Sequence, residues 1–125
     1  MNRLEEILII LSEESAEVSQ AAIKCVRFGM DSISFLNPDG PSNRERLETE
    51  LGDLLAMFKM LIEEHGLSEE NVMKAAEAKL VKVEKFMKNK KGLDAAELAA
   101  AFSKNSLPPL SFDKPHRRNP KRKTR

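Results

Sequence analysis

Two acidic pairs, Glu14-Ser15-Ala16-Glu17 and Glu50-Leu51-Gly52-Asp53, carry the chemistry this chain could do. In each, two carboxylates stand three residues apart, one turn of a helix, so both point the same way. Each pair also sits in a segment that otherwise reads as an apolar helix face. Four carboxylates converging at the edge of a core are costly unless a positive charge neutralises them. A hard divalent cation, Mg²⁺ or Mn²⁺, is the natural partner, and four ligands can hold one ion or more. Such ions bridge phosphate oxygens and lower the pKa of a bound water. That water could attack phosphorus in line with a leaving pyrophosphate, assisted by positioning and charge stabilisation. A spare carboxylate, Glu13 or Glu17, could take its proton; spacing alone does not choose between them.

Helical geometry separates these residues from an ordinary solvated face. Stepping about 100° per residue from Leu11, the apolar stripe of the first helix spans roughly 260° through 0° to 60°. Glu14 falls at about 300°, inside the stripe, and Glu17 at about 240°, at its edge. Glu13, at about 200°, is just outside. On the second helix, counted from Leu51, Glu50 falls at about 260° and Asp53 at about 200°, both among apolar neighbours. The third helix repeats the anomaly with the opposite sign. Counted from Ala76, Lys79 lies at about 300°, within the stripe, and Lys82 at about 240°, at its edge. Lysines can snorkel along their aliphatic stems. Beside inward carboxylates, an inward pair also suggests contact with a polyphosphate.

Other chemistries lack their parts. Zinc would want Cys and His ligands, and the chain has only Cys25, His65 and His116. A ferritin-like di-iron site would want Glu-x-x-His pairs, and there are none. No phosphate-binding Gly-rich loop and no GxSxG elbow is present.

The elements that must position these groups are helices. Leu4, Ile7, Leu8, Leu11, Val18, Ala22 and Cys25 repeat at helical spacing over residues 4–28, with Gly29 as the stop. Asn37-Pro38-Asp39-Gly40-Pro41 makes residues 30–42 a turn-rich connector. Ser42 with Glu45 reads as a capping box that opens a second helix, ending at Gly66. Its apolar side carries Leu47, Leu51, Leu54, Leu55, Phe58, Leu61 and Ile62. Ser68, followed by Glu69 and Glu70, opens a third, which stops near Lys91-Gly92. A short fourth helix is predicted over residues 94–102.

At 125 residues the chain fits one small all-α domain, an antiparallel helical bundle over residues 1–103. Residues 104–125 hold eight Lys/Arg, one acid and four prolines, and are expected to be an unstructured basic tail. The remainder is acidic, with thirteen Lys/Arg against nineteen Asp/Glu. No apolar run is long enough to span a membrane. The opening Met1-Asn2-Arg3-Leu4-Glu5-Glu6 is too acidic for a signal peptide. A single cysteine, Cys25, excludes an internal disulfide, fits a reducing cytoplasm, and reads as a small buried hydrophobe.

Glu13-Glu14-x-x-Glu17 followed by Glu50-x-x-Asp53 resembles the signature of the all-α nucleoside triphosphate pyrophosphohydrolases, the MazG-like family. Leu11-Ser12-Glu13-Glu14-Ser15-Ala16-Glu17-Val18 and Glu48-Thr49-Glu50-Leu51-Gly52-Asp53-Leu54-Leu55-Ala56 agree with it. Lys79 and Lys82 look like the lysines that follow. The segment Lys24-Cys25-Val26-Arg27-Phe28-Gly29 is similar to phage-type members, which adds Lys24 and Arg27 as substrate contacts and the host cytoplasm as the location. The resemblance covers residues 1–90. It implies hydrolysis of a (d)NTP at the α-phosphate to (d)NMP and pyrophosphate, with a leaning to a purine such as (d)GTP. It implies Mg²⁺ or Mn²⁺ on Glu14, Glu17, Glu50 and Asp53, with Glu13 nearby. It also implies a homo-oligomer, a dimer or a dimer of dimers, and helices with stripes this wide leave apolar area for a partner helix to cover. One departure stands out: thirty-two residues separate Glu17 from Glu50, more than in short members, because of the 30–42 connector. The loop is thereby tied to substrate choice, with Phe28, Phe35 and Phe58 as stacking candidates, although Phe58 suits the core better.

Two other readings compete. One is clearance of non-standard dNTPs by the same chemistry. The second is a non-enzymatic helical module that binds nucleic acid through Lys114, Arg117, Arg118, Lys121, Arg122, Lys123 and Arg125. The tail has only Phe112 to stack on bases, and the acidic body would repel nucleic acid.

Overall fold

The computed structural model describes residues 1–104. The described residues are mostly helical, with α1 at Arg3–Phe28, α2 at Asn43–His65, α3 at Glu69–Phe86 and α4 at Ala95–Lys104. Among the described residues there is no strand, only an isolated antiparallel bridge between Ile33 and Ser42. Among the described residues no helix is long and apolar enough to cross a membrane. Of the basic tail expected at residues 104–125, Lys104 is the last residue of α4; the rest, with the suggested nucleic-acid contacts, lies outside the described residues. The chain divides into two compact units, Met1–Glu69 and Glu70–Arg125.

The first unit is a hairpin of α1 and α2. Each helix starts on a reciprocal cap. Asn2 accepts from the Glu5 N–H at 2.9 Å while the Glu5 carboxylate accepts from the Asn2 N–H at 2.9 Å. Ser42 and Glu45 do the same for α2, at 3.2 and 3.0 Å. The Ser42 box is the one the sequence predicts; the Asn2–Glu5 box carries the same spacing, with Asn in place of Ser. Gly29 ends α1 at φ 92° and Gly66 ends α2 at φ 68°, a region where a Cβ is unfavourable.

Both ends of the hairpin are tied. At the open end, Arg3 grips the Glu64 carboxylate through Nε and Nη2. At the loop end, the Asn43 side-chain amide donates to the Gly29 carbonyl at 2.9 Å and the Lys24 carbonyl at 3.5 Å. The Asn43 and Arg44 backbone N–H groups donate to Ser32 and Met30 carbonyls at 2.9 and 2.7 Å. Cys25 is half-buried, with its thiol 3.6 Å from the Asn43 carbonyl, so it packs at the same corner as a weak donor. These ties run start to end and end to start, which makes α1 and α2 antiparallel and fixes their register.

The core of the hairpin is thin. Ile7, at 2% exposure, Ala21 and Leu61 are buried. Leu4, Leu11, Val18, Leu54, Leu55, Phe58 and Ile62 are half-buried. Leu8 and Leu51, expected on the inner stripes, are exposed, because two helices can cover only one seam of each other.

In the second unit, α3 ends at Phe86, short of the Lys91-Gly92 stop read from sequence. The Glu84 carboxylate accepts the Lys91 N–H, closing a turn where the helix would have continued. Asp94 then caps α4 by accepting from the Glu97 N–H at 2.8 Å. No residue of α3 is buried. Lys79 and Lys82, placed on its apolar stripe by the helical count, are accordingly exposed.

Because α2 carries half of the acidic cluster, its cap sets the position of Glu50. Ser42→Ala should lower the unfolding free energy by about 1 kcal/mol, read as a drop in the urea midpoint at unchanged slope. An unchanged midpoint would show that the loop ties alone hold the start of α2.

Candidate metal centre

Midway along the hairpin, α1 presents Glu14 and α2 presents Glu50 and Asp53. One carboxylate oxygen from each lies within 4.8 Å of the other two. Glu14 and Glu50 are half-buried, and Asp53 is exposed. The helical count is thus right for Glu14 and Glu50, while Asp53 sits at the outer lip. The burial is specific to single atoms: Glu14 Oε2 and Glu50 Oε2 are shielded from solvent and have no hydrogen-bond partner. A buried, unsatisfied carboxylate oxygen is expensive, since an anion gives up water and receives nothing in return.

The electrostatics follow from that arrangement. Burial is the main cause raising the Glu14 pKa above the ordinary glutamate value, with the charges of Glu17, Asp53 and Glu13 adding to it. The Glu50 pKa is raised as well, first by the side chain of Glu17 beside it. Burial and the charges of Glu17, Asp53 and Glu14 push the same way. No cation is among these causes. By contrast, Arg3 lowers the Glu64 pKa and Arg44 lowers that of Asp31, as paired surface carboxylates behave.

Five carboxylates therefore cluster, in three different environments. Glu14, Glu50 and Asp53 converge on one point. Glu17 is exposed and adjoins Glu50, outside that convergent set. Glu13 is exposed and acts on Glu14 through its charge. The donor set suits a hard cation, being all oxygen, convergent and open on the Asp53 side.

Beyond the cluster, the α1–α2 loop borders an open cavity of about 470 Å³, lined by Lys24, Phe28, Ile33, Phe35, Asn43 and Arg46 among others. Lys24, a sequence candidate, faces this cavity. Arg27 does not line it; its guanidinium lies 5.1 Å from the centroid of the Phe28 ring. Asn43 and Arg46 carry no signal in the sequence, because only the folded loop gives them a cavity to face. The chain matches no protein-family model, no curated protein and no solved structure.

The raised pKa values give a signed prediction. A carboxyl whose folded pKa exceeds its unfolded one binds its proton more tightly when folded, so its ionisation destabilises the fold. The penalty is absent below the unfolded pKa and complete above the folded one. In chelator, the melting temperature should therefore fall as pH rises through and above the ordinary glutamate range. Glu50→Gln should flatten that fall, and millimolar Mg²⁺ should restore stability to the native chain at neutral pH. A melting temperature indifferent to Mg²⁺ and to Glu50→Gln would mean that the cluster stores no such charge.

Proposed function

We propose that this protein is a metal-dependent nucleoside triphosphate pyrophosphohydrolase, cleaving a (d)NTP at the α-phosphate to (d)NMP and pyrophosphate. The observation that carries this reading is the convergence of Glu14, Glu50 and Asp53, one carboxylate oxygen of each within 4.8 Å of the others, where Glu14 and Glu50 each also hold a shielded, partnerless oxygen. Divalent cations bound there, Mg²⁺ or Mn²⁺, would supply positive charge to the phosphates and acidify a coordinated water. Glu14, Glu50 and Asp53 would hold them, with Glu17 as the fourth ligand.

The chain's own groups divide the remaining work. Glu17, exposed beside Glu50, is suited to accept the proton of the attacking water. Glu13 keeps the local field negative and is the alternative acceptor. Lys24 lies seven residues beyond Glu17 on α1, about 10 Å along the axis and on nearly the same face, where it can meet a phosphate. Lys79 and Lys82 enter as substrate contacts on the family resemblance alone, and Arg27 is proposed to brace the Phe28 ring. The lone half-buried thiol of Cys25 accords with the cytoplasm.

The same reading includes a homo-oligomer, a dimer or a dimer of dimers. It is supported by the apolar surface the hairpin leaves uncovered: Ile23 is 57% exposed and Val26 83%. Large apolar side chains grouped on one helix are costly in water and stable when a second copy covers them. Light scattering should return two or four times the 14.1 kDa chain mass. A monomer at micromolar concentration would contradict this part.

The activity is tested by a panel of canonical and non-standard (d)NTPs with Mg²⁺, products followed by ³¹P NMR. Pyrophosphate should appear with the matching monophosphate, and Glu50→Gln or Asp53→Asn should reduce turnover on the order of 10²–10³-fold. Lys79→Met and Lys82→Met should each lower kcat/KM by about tenfold, equivalent to ~1.4 kcal/mol of lost transition-state binding. Inorganic phosphate as the product, or silence across the panel, would overturn the assignment.

A further inference from the structure

The end ties of the hairpin and its carboxylates share one register. Arg3 binds Glu64 at the open end, and the Asn43 amide binds the Lys24 carbonyl at the loop end. From the first tie to the second, α1 advances from 3 to 24 while α2 retreats by the same number, from 64 to 43, as antiparallel helices of equal rise must. Seven residues back from Lys24 is Glu17, and seven forward from Asn43 is Glu50. Three more reach Glu14 and Asp53. These are the groups that feel each other across the seam: Glu17 acts on Glu50, and Asp53 on Glu14.

Packing alone specifies that register weakly. The buried side chains of the hairpin are Ile7, Ala21 and Leu61, and an apolar stripe repeats with the helical turn. A slip of four residues, about 6 Å, therefore keeps the same two faces together. In one direction it sets Glu17 opposite Arg46 and Glu14 opposite Thr49; in the other it sets them opposite Leu54 and Met57. Either slip separates both carboxylate pairs. Asn43 opposes it with several groups at once. Its side-chain NH₂ donates to the Gly29 carbonyl at 2.9 Å and the Lys24 carbonyl at 3.5 Å, its backbone N–H donates to Ser32 at 2.9 Å, and its own carbonyl lies 3.6 Å from the Cys25 thiol. Lys24 and Cys25 belong to α1 and Gly29 caps it, so a slip would break those contacts together. Directional polar contacts specify register where apolar ones do not.

We infer that Asn43 is a positioning residue for the cation site: by clamping the end of α1 to the start of α2, it selects the register in which Glu14, Glu50 and Asp53 converge. The inference rests on the cation reading of that cluster and adds a residue two turns, about 10 Å along α2, from Glu50. Asn43 touches neither the carboxylates nor the ion. It acts through the helix that carries Glu50 and Asp53, as groups outside a ligand set do when they orient it.

The test compares Asn43→Asp with Ile7→Val in the full chain. Asp is close to Asn in size but turns an oxygen toward the two carbonyls, so the clamp is lost. Its charge in the first turn of α2 favours that helix, and an added anion attracts a cation, so both side effects oppose the expected result. Ile7→Val removes a buried methyl and none of these hydrogen bonds. In chelator, nuclear Overhauser contacts between the Glu17 and Glu50 side chains should be present in the native chain and in Ile7→Val. They should vanish in Asn43→Asp while its helix content by circular dichroism is kept. Mn²⁺ should bind Asn43→Asp at least about tenfold more weakly than the native chain, and Ile7→Val within about twofold of it. Asn43→Ser, with one short donor in place of two, should fall between. Contacts kept in Asn43→Asp, equal loss of affinity in Asn43→Asp and Ile7→Val, or loss of helix content in both Asn43 variants would each overturn the inference. Native Mn²⁺ binding that Asn43→Asp leaves unchanged would uphold the cation and refute the role of Asn43. Contacts that depend on Asn43 in a native chain that binds no Mn²⁺ would uphold the register clamp and refute the reading of the carboxylates.

Discussion

Uncompensated negative charge at the centre of the α1–α2 hairpin is the constraint on which the rest depends. Glu14 and Glu50 each hold one oxygen out of water with no donor to receive it, while Glu13, Glu17 and Asp53 add like charge around them. A hairpin with few buried side chains has little stability to spare for such a cluster. The cluster is tolerable if protons or a bound cation neutralise it. At neutral pH the cation is the stronger solution, because it serves several carboxylates at once.

The rest of the hairpin reads as support for holding those groups in register. Reciprocal caps start both helices, and an arginine fork closes the open end. The most heavily worked point is the loop end, where Asn43 closes the last turn of α1 onto the first turn of α2. That corner does two things at once. It sets how far Glu50 stands from Glu14, and it shapes the cavity one turn further up the seam. The position of the acidic cluster and the shape of the cavity are thus set by the same hydrogen bonds.

Much of this is legible in the chain. Gly29, the Ser42–Glu45 box and Gly66 announce their helix ends because each stands for one local interaction. Glu14 and Glu50 are legible for a different reason: a charge on an apolar stripe conflicts with its own helix, and such conflicts mark sites. What escapes reading depends on non-local geometry. Asp53 is counted inward but stands at the rim, since an angle on a wheel does not say where the partner helix stops. Leu8 and Leu51 belong to the apolar stripes yet lie exposed for the same reason. Lys79 and Lys82 sit on a stripe that nothing in α3 buries. Arg46 looks like an ordinary solvated arginine until the loop folds over it. The end of α3 is hidden because the Glu84 side chain captures a backbone N–H seven residues on, a choice that spacing does not announce.

The central claim, that this cluster is a divalent-cation site, is tested most directly by titrating Mn²⁺ into the full chain and following free Mn²⁺ by electron paramagnetic resonance. The account predicts saturable binding that Mg²⁺ displaces and that weakens by at least about tenfold in both Glu14→Gln and Glu50→Gln. Non-saturable binding, or saturable binding unchanged in both variants, would contradict it.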